Sequence, residues 1–276
     1  MEALIIGLDH NYRGAELEEQ LSGYGVPFKR SPGVLVDALP GMLDHYVDQW
    51  AAMVLQRREL TKGEVGCALA HRNAWRTLVE SEERFTLVFE DDARLTGRPI
   101  TAEIMAALDT DEPTLIVLDS YVNYTIVARG QSGRVLRALV PPPGAWAYAL
   151  NRAAAVLMIE DGARISSVAD WPARVAHKVA FHAVYPQLAY VDERVESNLE
   201  GDRHIQEVGG TERGAVKALR LAQTLGHVRW VRNRHAYNGY RNYWNHEIRR
   251  VVINRVARRL GKRRNPEDTR SLLVAR

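Results

Sequence analysis

The chain has 276 residues, 46% of them apolar and 26% charged, which excludes a collagen-like, low-complexity or disordered polymer and allows one large domain, alone or with an appendage. A single cysteine, Cys67, excludes an intrachain disulfide framework and fits a reducing compartment. The net charge of +3 divides into an acidic body, −11 over residues 1–212, and a basic stretch, +14 over residues 213–264, with the last twelve residues neutral.

In chain order, "ALIIGLD" reads as a short buried strand and "AELEEQLSGYG" as a helix that stops at glycines. "VPFKRSPGV" returns as a second strand, so the opening is β–α–β and favours an α/β layered fold. Residues 37–60 are amphipathic but broken by Pro40 and Gly41. "LTKGEVGCALAHRNAWRTLVES" is the strongest helical segment. Thr61 and Glu64 have capping-box spacing, and Val65, Leu69, Trp75 and Leu78 share an apolar face. "FTLVFEDD" and "TLIVLDS" read as buried strands, "AWAYALN" as a strand and "RAAAVLMIEDG" as a helix. "FHAVYPQLAYVDERVESNL" alternates enough for one or two short strands. Composition changes near residue 210, which sets the expected organisation: a body over 1–210 and a basic, helical extension over 211–276.

The chemistry concentrates where "FTLVFEDD" ends. Glu90, Asp91 and Asp92 cannot bury unpaired. They are either a solvated turn or a site for a hard divalent cation at the carboxyl end of a strand, where ligands gather in layered α/β folds. No zinc-type Cys/His spacing, dinucleotide-binding glycine pattern or phosphate-loop lysine is read in the chain.

The ordered set "LTKGEVGCALAHRNAWRTLVES", "LVFEDDARL", "GAWAYALNRAAAVLM", "VADWP" and "VESNL" resembles glycosyltransferase family 25, the lipopolysaccharide-type sugar transferases that also resemble the collagen galactosyltransferases. The opening "IIGLDHNYRGAELEEQL", with Asp9 and Arg13, is similar to that family's as well, and Ala70 stands where the family usually has Ser. The resemblance covers about residues 3–200. It implies a GT-A-like, mostly parallel sheet sandwiched by helices, a UDP-sugar donor and a Mn2+ or Mg2+ ion bridging the diphosphate. Asp92 would bind the metal directly, Glu90 would face the ribose or the metal shell, and Asp91 would be a further donor contact. Asp9, Arg13, Glu64 and His71 would line the donor cleft. For Glu64 the cap explains the residue without a ligand. Asp170 would be the general base, with Asp119 as the alternative; Asp170 as a turn cap is the plain reading. Trp146 and Tyr148, two apart on a strand, would share a face and either pack the core or stack on an acceptor sugar. His182 and His204 are the candidates for a third metal ligand.

The function implied is inverting, metal-dependent transfer of a hexose, galactose or a close relative, to a hydroxyl of a glycan or lipid-linked glycan. The alternatives are a non-catalytic nucleic-acid- or membrane-binding protein acting through the basic stretch, or another metal-dependent phosphotransfer enzyme. Apolar positions Ile248, Val251, Val252, Val256 and Leu260 at helical spacing suit an interfacial helix on anionic lipid. Docking of the stretch on the acidic body and nucleic-acid binding are the rival readings, the latter disfavoured. No window approaches the roughly 18 apolar residues of a spanning helix, and "MEALIIGLDH" does not read as a secretory leader. The expectation is a cytoplasmic protein, peripheral at the inner face of the cell membrane.

Overall fold

The structure is a computed structural model that describes residues 1–39, 43–48, 51–52, 59–100, 102–119, 135–138, 144–161, 163–168, 171–172, 178–192 and 194. The basic extension, Asp170 and His204 lie outside the described residues.

The first strand, β1 (Ala3–Gly7), buries its first four residues. Helix α1 (Ala15–Gly23) follows and buries Leu17 and Leu21, four apart on one face. Strand β2 (Phe28–Pro32) then pairs parallel to β1, completing the expected β–α–β unit. It forms one edge of the sheet and carries Lys29 and Arg30 exposed, charges that discourage pairing with another chain.

Helix α2 (Lys62–Glu80) begins with the capping box read in the sequence: Glu64 N–H donates to Thr61 Oγ1 at 3.1 Å, and Thr61 N–H donates to Glu64 Oε2 at 3.0 Å. Val65, Leu69, Trp75 and Leu78 are all buried along it. Gly66 lets the helix sit on the segment after β2, where a Cβ would lie 2.2 Å from the Val34 carbonyl oxygen.

Strand β3 (Phe85–Glu90) pairs parallel to β1 on its other side. The rest follow as β4 (Ala93–Leu95), α3 (Ala102–Leu108), β5 (Thr114–Val117), β6 (Val135–Arg137), β7 (Ala147–Asn151), α4 (Arg152–Asp161), β8 (Ala180–Val184) and β9 (Ala189–Val191). Seven strands form one sheet in the order β2-β1-β3-β7-β5-β8-β6, and β4 and β9 form a separate antiparallel ribbon. Five of the seven run one way; β7 and β6 run against them.

Helices cover both faces. On one, Trp75 and Leu78 of α2 and Ala154 and Met158 of α4 pack with Leu4, Val88, Tyr148 and Leu150. Small residues on α2 and α4, Ala70 and Ala74 with Ala154 and Ala155, join this cluster. On the other face, Leu17, Leu21, Ile104 and Leu108 pack with Ile5, Leu87, Phe89 and Ile116. Two polar residues at the β7–α4 junction organise it. Asn151, 2% exposed, accepts from Thr114 and Ala154 N–H and donates to the carbonyls of Thr110 and Glu112. The Arg152 guanidinium donates to the carbonyls of Val79, Ser81 and Glu83, satisfying the end of α2 and the turn after it. Among the described residues no helix is long and apolar enough to cross a membrane.

Candidate active site

Parallel strands β1, β3 and β5 end on one edge of the sheet, and antiparallel β7 starts there. Glu90 N–H donates to the Trp146 carbonyl at 2.8 Å, which fixes the acid triplet beside the entry to β7. The triplet is not a solvated turn: Asp91 is 2% and Asp92 8% exposed.

Each acid has a different environment. Asp91 is bracketed by Arg13, whose backbone N–H reaches Oδ2 at 3.1 Å and whose guanidinium reaches Oδ1 at 2.5 Å. The close approach needs Gly7, since a Cβ there would lie 2.8 Å from Asp91 Oδ2 and 2.7 Å from the Tyr12 ring. Asp92 Oδ2 lies 3.7 Å from the same guanidinium, while Oδ1 is buried with no hydrogen-bond partner. Burial and then the charge of Glu90 push the Asp92 carboxyl up to about 6, with Arg13 pulling the other way. Glu90 is partly exposed, and its Oε1 lies 3.2 Å from His71 Nε2 and 3.9 Å from Cys67 Sγ. Arg94, 3% exposed, holds the turn from beneath: it donates to the carbonyls of Asp91 and Ala93 and pairs with Glu16 and Asp192.

An orphaned carboxylate oxygen next to a second carboxylate is a donor set for a hard divalent cation such as Mn2+ or Mg2+. Glu90, whose charge acts on Asp92, and Asp92 are the two acids of the triplet that could hold one. Asp91 is engaged with Arg13.

The other expected residues are distributed unevenly. Arg13 is brought to the acids; Asp9 is exposed in the short turn after β1. Asp119, 8% exposed, follows β5 on the same edge, two strand positions from β3 and so roughly 10 Å across the sheet. Glu64 is 1% exposed and serves the α2 cap. Trp146 and Tyr148 do not share a face. Trp146 precedes the regular strand and packs with the cluster on the α1 side, and Tyr148 belongs to the α2 side. Tyr148 is 0% exposed, with Trp171 edge-on at 5.2 Å, so the structure places it in the core rather than on a sugar-stacking surface. His182 pairs with Ile116, and Ile116 and Leu87 both pair with Ala149. It therefore sits three residues short of Glu90 along the strands and three strands to the side, out of reach of a shared ion.

Gly7, Arg94 and the pairing of His71 with Tyr148 and Glu90 have no signal in a linear reading. Cys67, His71 and Glu90 bring ligand atoms within 4.8 Å of one another. Four-residue spacing places the first two on one helical face, but the third comes from β3, so no zinc-type pattern marks the cluster in sequence.

A sequence profile of glycosyltransferase family 25 (LPS biosynthesis protein) matches residues 1–160, more than half of the chain. The chain belongs to glycosyltransferase family 25. Human procollagen galactosyltransferase 2 is 32% identical over 79 residues, 29% of this chain and 11% of that protein. The human inactive glycosyltransferase 25 family member 3 is 46% identical over 59 residues, 21% of this chain and 8% of that protein. This family 25 chain thus spans about a tenth of the length of the curated relatives it matches. A solved glycosyltransferase involved in glycosylation of the major capsid of PBCV-1 aligns over 74% of this chain and 98% of its own, at 10% identity and a TM-score of 0.39. A likeness of that size decides nothing about the fold, which rests on the strand order above.

Proposed function

We propose that the chain is a metal-dependent, inverting hexosyltransferase of GT-A type. It would take galactose or a close relative from UDP and place it on a hydroxyl of a glycan or lipid-linked glycan. The observation that carries the reading is the Asp92 Oδ1 atom, buried and unpartnered beside Glu90 at the carboxyl edge of the sheet.

In this reading Glu90 and Asp92 hold Mn2+ or Mg2+, which when bound stabilises the charge developing on the departing nucleoside diphosphate. Asp91 orients Arg13 at the same edge, and Arg94 keeps the turn carrying the acids rigid. The acceptor oxygen attacks the anomeric carbon as the bond to the diphosphate oxygen breaks, so one displacement inverts that carbon. A carboxylate takes the hydroxyl proton. Asp119 lies on the site edge, and Asp170 precedes Trp171, which packs against Tyr148; these two are the bases to test. The basic stretch at 213–264 would hold the protein against an anionic membrane surface, where a lipid-linked acceptor is presented.

The test is a thermal-shift panel of nucleotide-sugars with and without Mn2+, followed by a UDP-release assay. Stabilisation by UDP-sugars only with the metal, and UDP release abolished by Asp92→Ala, is expected. Binding without release would align the chain with the relatives named inactive. No metal-dependent binding would remove the reading.

A further inference from the structure

Resting on the reading of the acid edge as a cation site, we propose that a buried hydrogen-bond chain, Trp75–Tyr148–His71, fixes the Glu90 carboxylate for the cation, making His71 and Tyr148 positioning residues.

The direction of every bond in the chain follows from chemistry. An indole N–H only donates, so Trp75 Nε1 gives its hydrogen to Tyr148 Oη at 2.8 Å. The Tyr148 hydroxyl must then place its own hydrogen. It is fully buried, and its other neighbour is His71 Nδ1 at 2.9 Å. Nδ1 therefore accepts, Nε2 carries the ring hydrogen, and Nε2 donates to Glu90 Oε1 at 3.2 Å. Every donor in the chain is used. The opposite tautomer would strand the Tyr148 hydrogen unsatisfied in the core. Burial keeps the Tyr148 phenol neutral by raising its pKa, so it is a donor at all ordinary pH.

The parts are placed by regular structure. His71 and Trp75 are four apart on α2, and Tyr148 stands on β7 opposite Val88 of β3. Glu90 is thus gripped from inside the core through Oε1, which leaves Oε2 for the ion. The same tautomer settles the Cys67–His71–Glu90 cluster. A thiophilic metal there would need the Nε2 lone pair, and in this chain Nε2 bears hydrogen.

The experiment uses the full chain. Free Mn2+ is counted by electron paramagnetic resonance during titration, and melting temperature is recorded in parallel. Partners that orient a metal ligand typically account for 10–100-fold in affinity. Tyr148→Phe and His71→Leu are expected to weaken Mn2+ binding by about tenfold or more. His71→Gln, whose amide can still donate to Glu90, should stay within about threefold of wild type. Tyr148→Phe carries the test if His71→Leu does not fold. Unchanged Mn2+ affinity in Tyr148→Phe with a lowered melting temperature would reduce the chain to core packing and overturn the proposal. So would a His71→Gln variant as weak as His71→Leu. Asp92→Asn separates the two levels: if it too binds Mn2+ normally, the cation reading fails; if it loses Mn2+ while Tyr148→Phe does not, only the hydrogen-bond chain fails. A Co2+–thiolate absorption band in wild type that Cys67→Ser removes would show a metal on the cluster and also overturn the assignment.

Discussion

Asp92 holds its proton up to about pH 6 in the folded chain, whereas an unperturbed carboxyl of this type releases it at 3.8. Between those values the native state binds more protons than the unfolded one. The stability tied to the protonated carboxyl is full below pH 4 and is lost as pH rises through 6. The loss is on the order of 3 kcal/mol. Asp92→Asn should therefore stabilise the metal-free chain at pH 7.5, with the gain vanishing near pH 4, in denaturant unfolding at the two pH values. A variant less stable than wild type at pH 7.5 would contradict this. Mn2+ should reverse the order by stabilising only the wild type, and its affinity should fall below about pH 6 as protons compete for the ligand. Asp91 behaves oppositely: Asp91→Ala leaves the Arg13 guanidinium without its closest partner and should cost about 3 kcal/mol whether or not metal is present. Sequence marks all three acids because a charged run after a buried strand is conspicuous. It does not sort them, since the difference between Asp91 and Asp92 is made by Arg13, 78 residues from the first of them.

Helix α2 shows how a segment is held by its start and by its closest contact. Thr61→Ala removes one half of the capping box and should cost about 1 kcal/mol in denaturant midpoint. Gly66→Ala puts a Cβ at 2.2 Å from a backbone oxygen, which cannot rotate away, and should cost at least about 2 kcal/mol. If the two rank the other way, the contact with Val34 is looser than described. The helix, its cap and its buried face are legible in sequence because capping chemistry and 3.6-residue spacing are local. Strands β1, β3, β5 and β7 are legible as apolar runs, and β8 as part of an alternating segment. The reversed direction of β7 is not, because an apolar run does not record which way its partner points. Trp146 and Tyr148 part company for a different reason: the former precedes the strand, where alternation does not yet hold, and the latter is inside it. Short β4 and β6, three residues each, show no period of their own, unlike β9, which lies in the longer alternating segment that begins at β8.

At the scale of the molecule, charge is the feature that composition states most directly: −11 over residues 1–212 against +14 over 213–264. If the basic stretch meets an anionic membrane, the full chain should co-sediment with anionic vesicles, less so as salt rises, because the attraction decays within a Debye length. Truncation after Gly210 should abolish vesicle binding and keep Mn2+-dependent UDP binding. A truncated product that aggregates, with no vesicle binding by the full chain, would place the stretch on the acidic body instead. The ribbon of β4 and β9 gives this arrangement a mechanical side. Ala93 pairs with Val191, and the Asp192 N–H bonds the Asp92 carbonyl at 2.9 Å, so the end of β9 is fastened to the backbone of the acid triplet itself. A pull on the end of β9 would be transmitted first to the peptide that carries the orphaned carboxylate, which would make that strand a handle on the site.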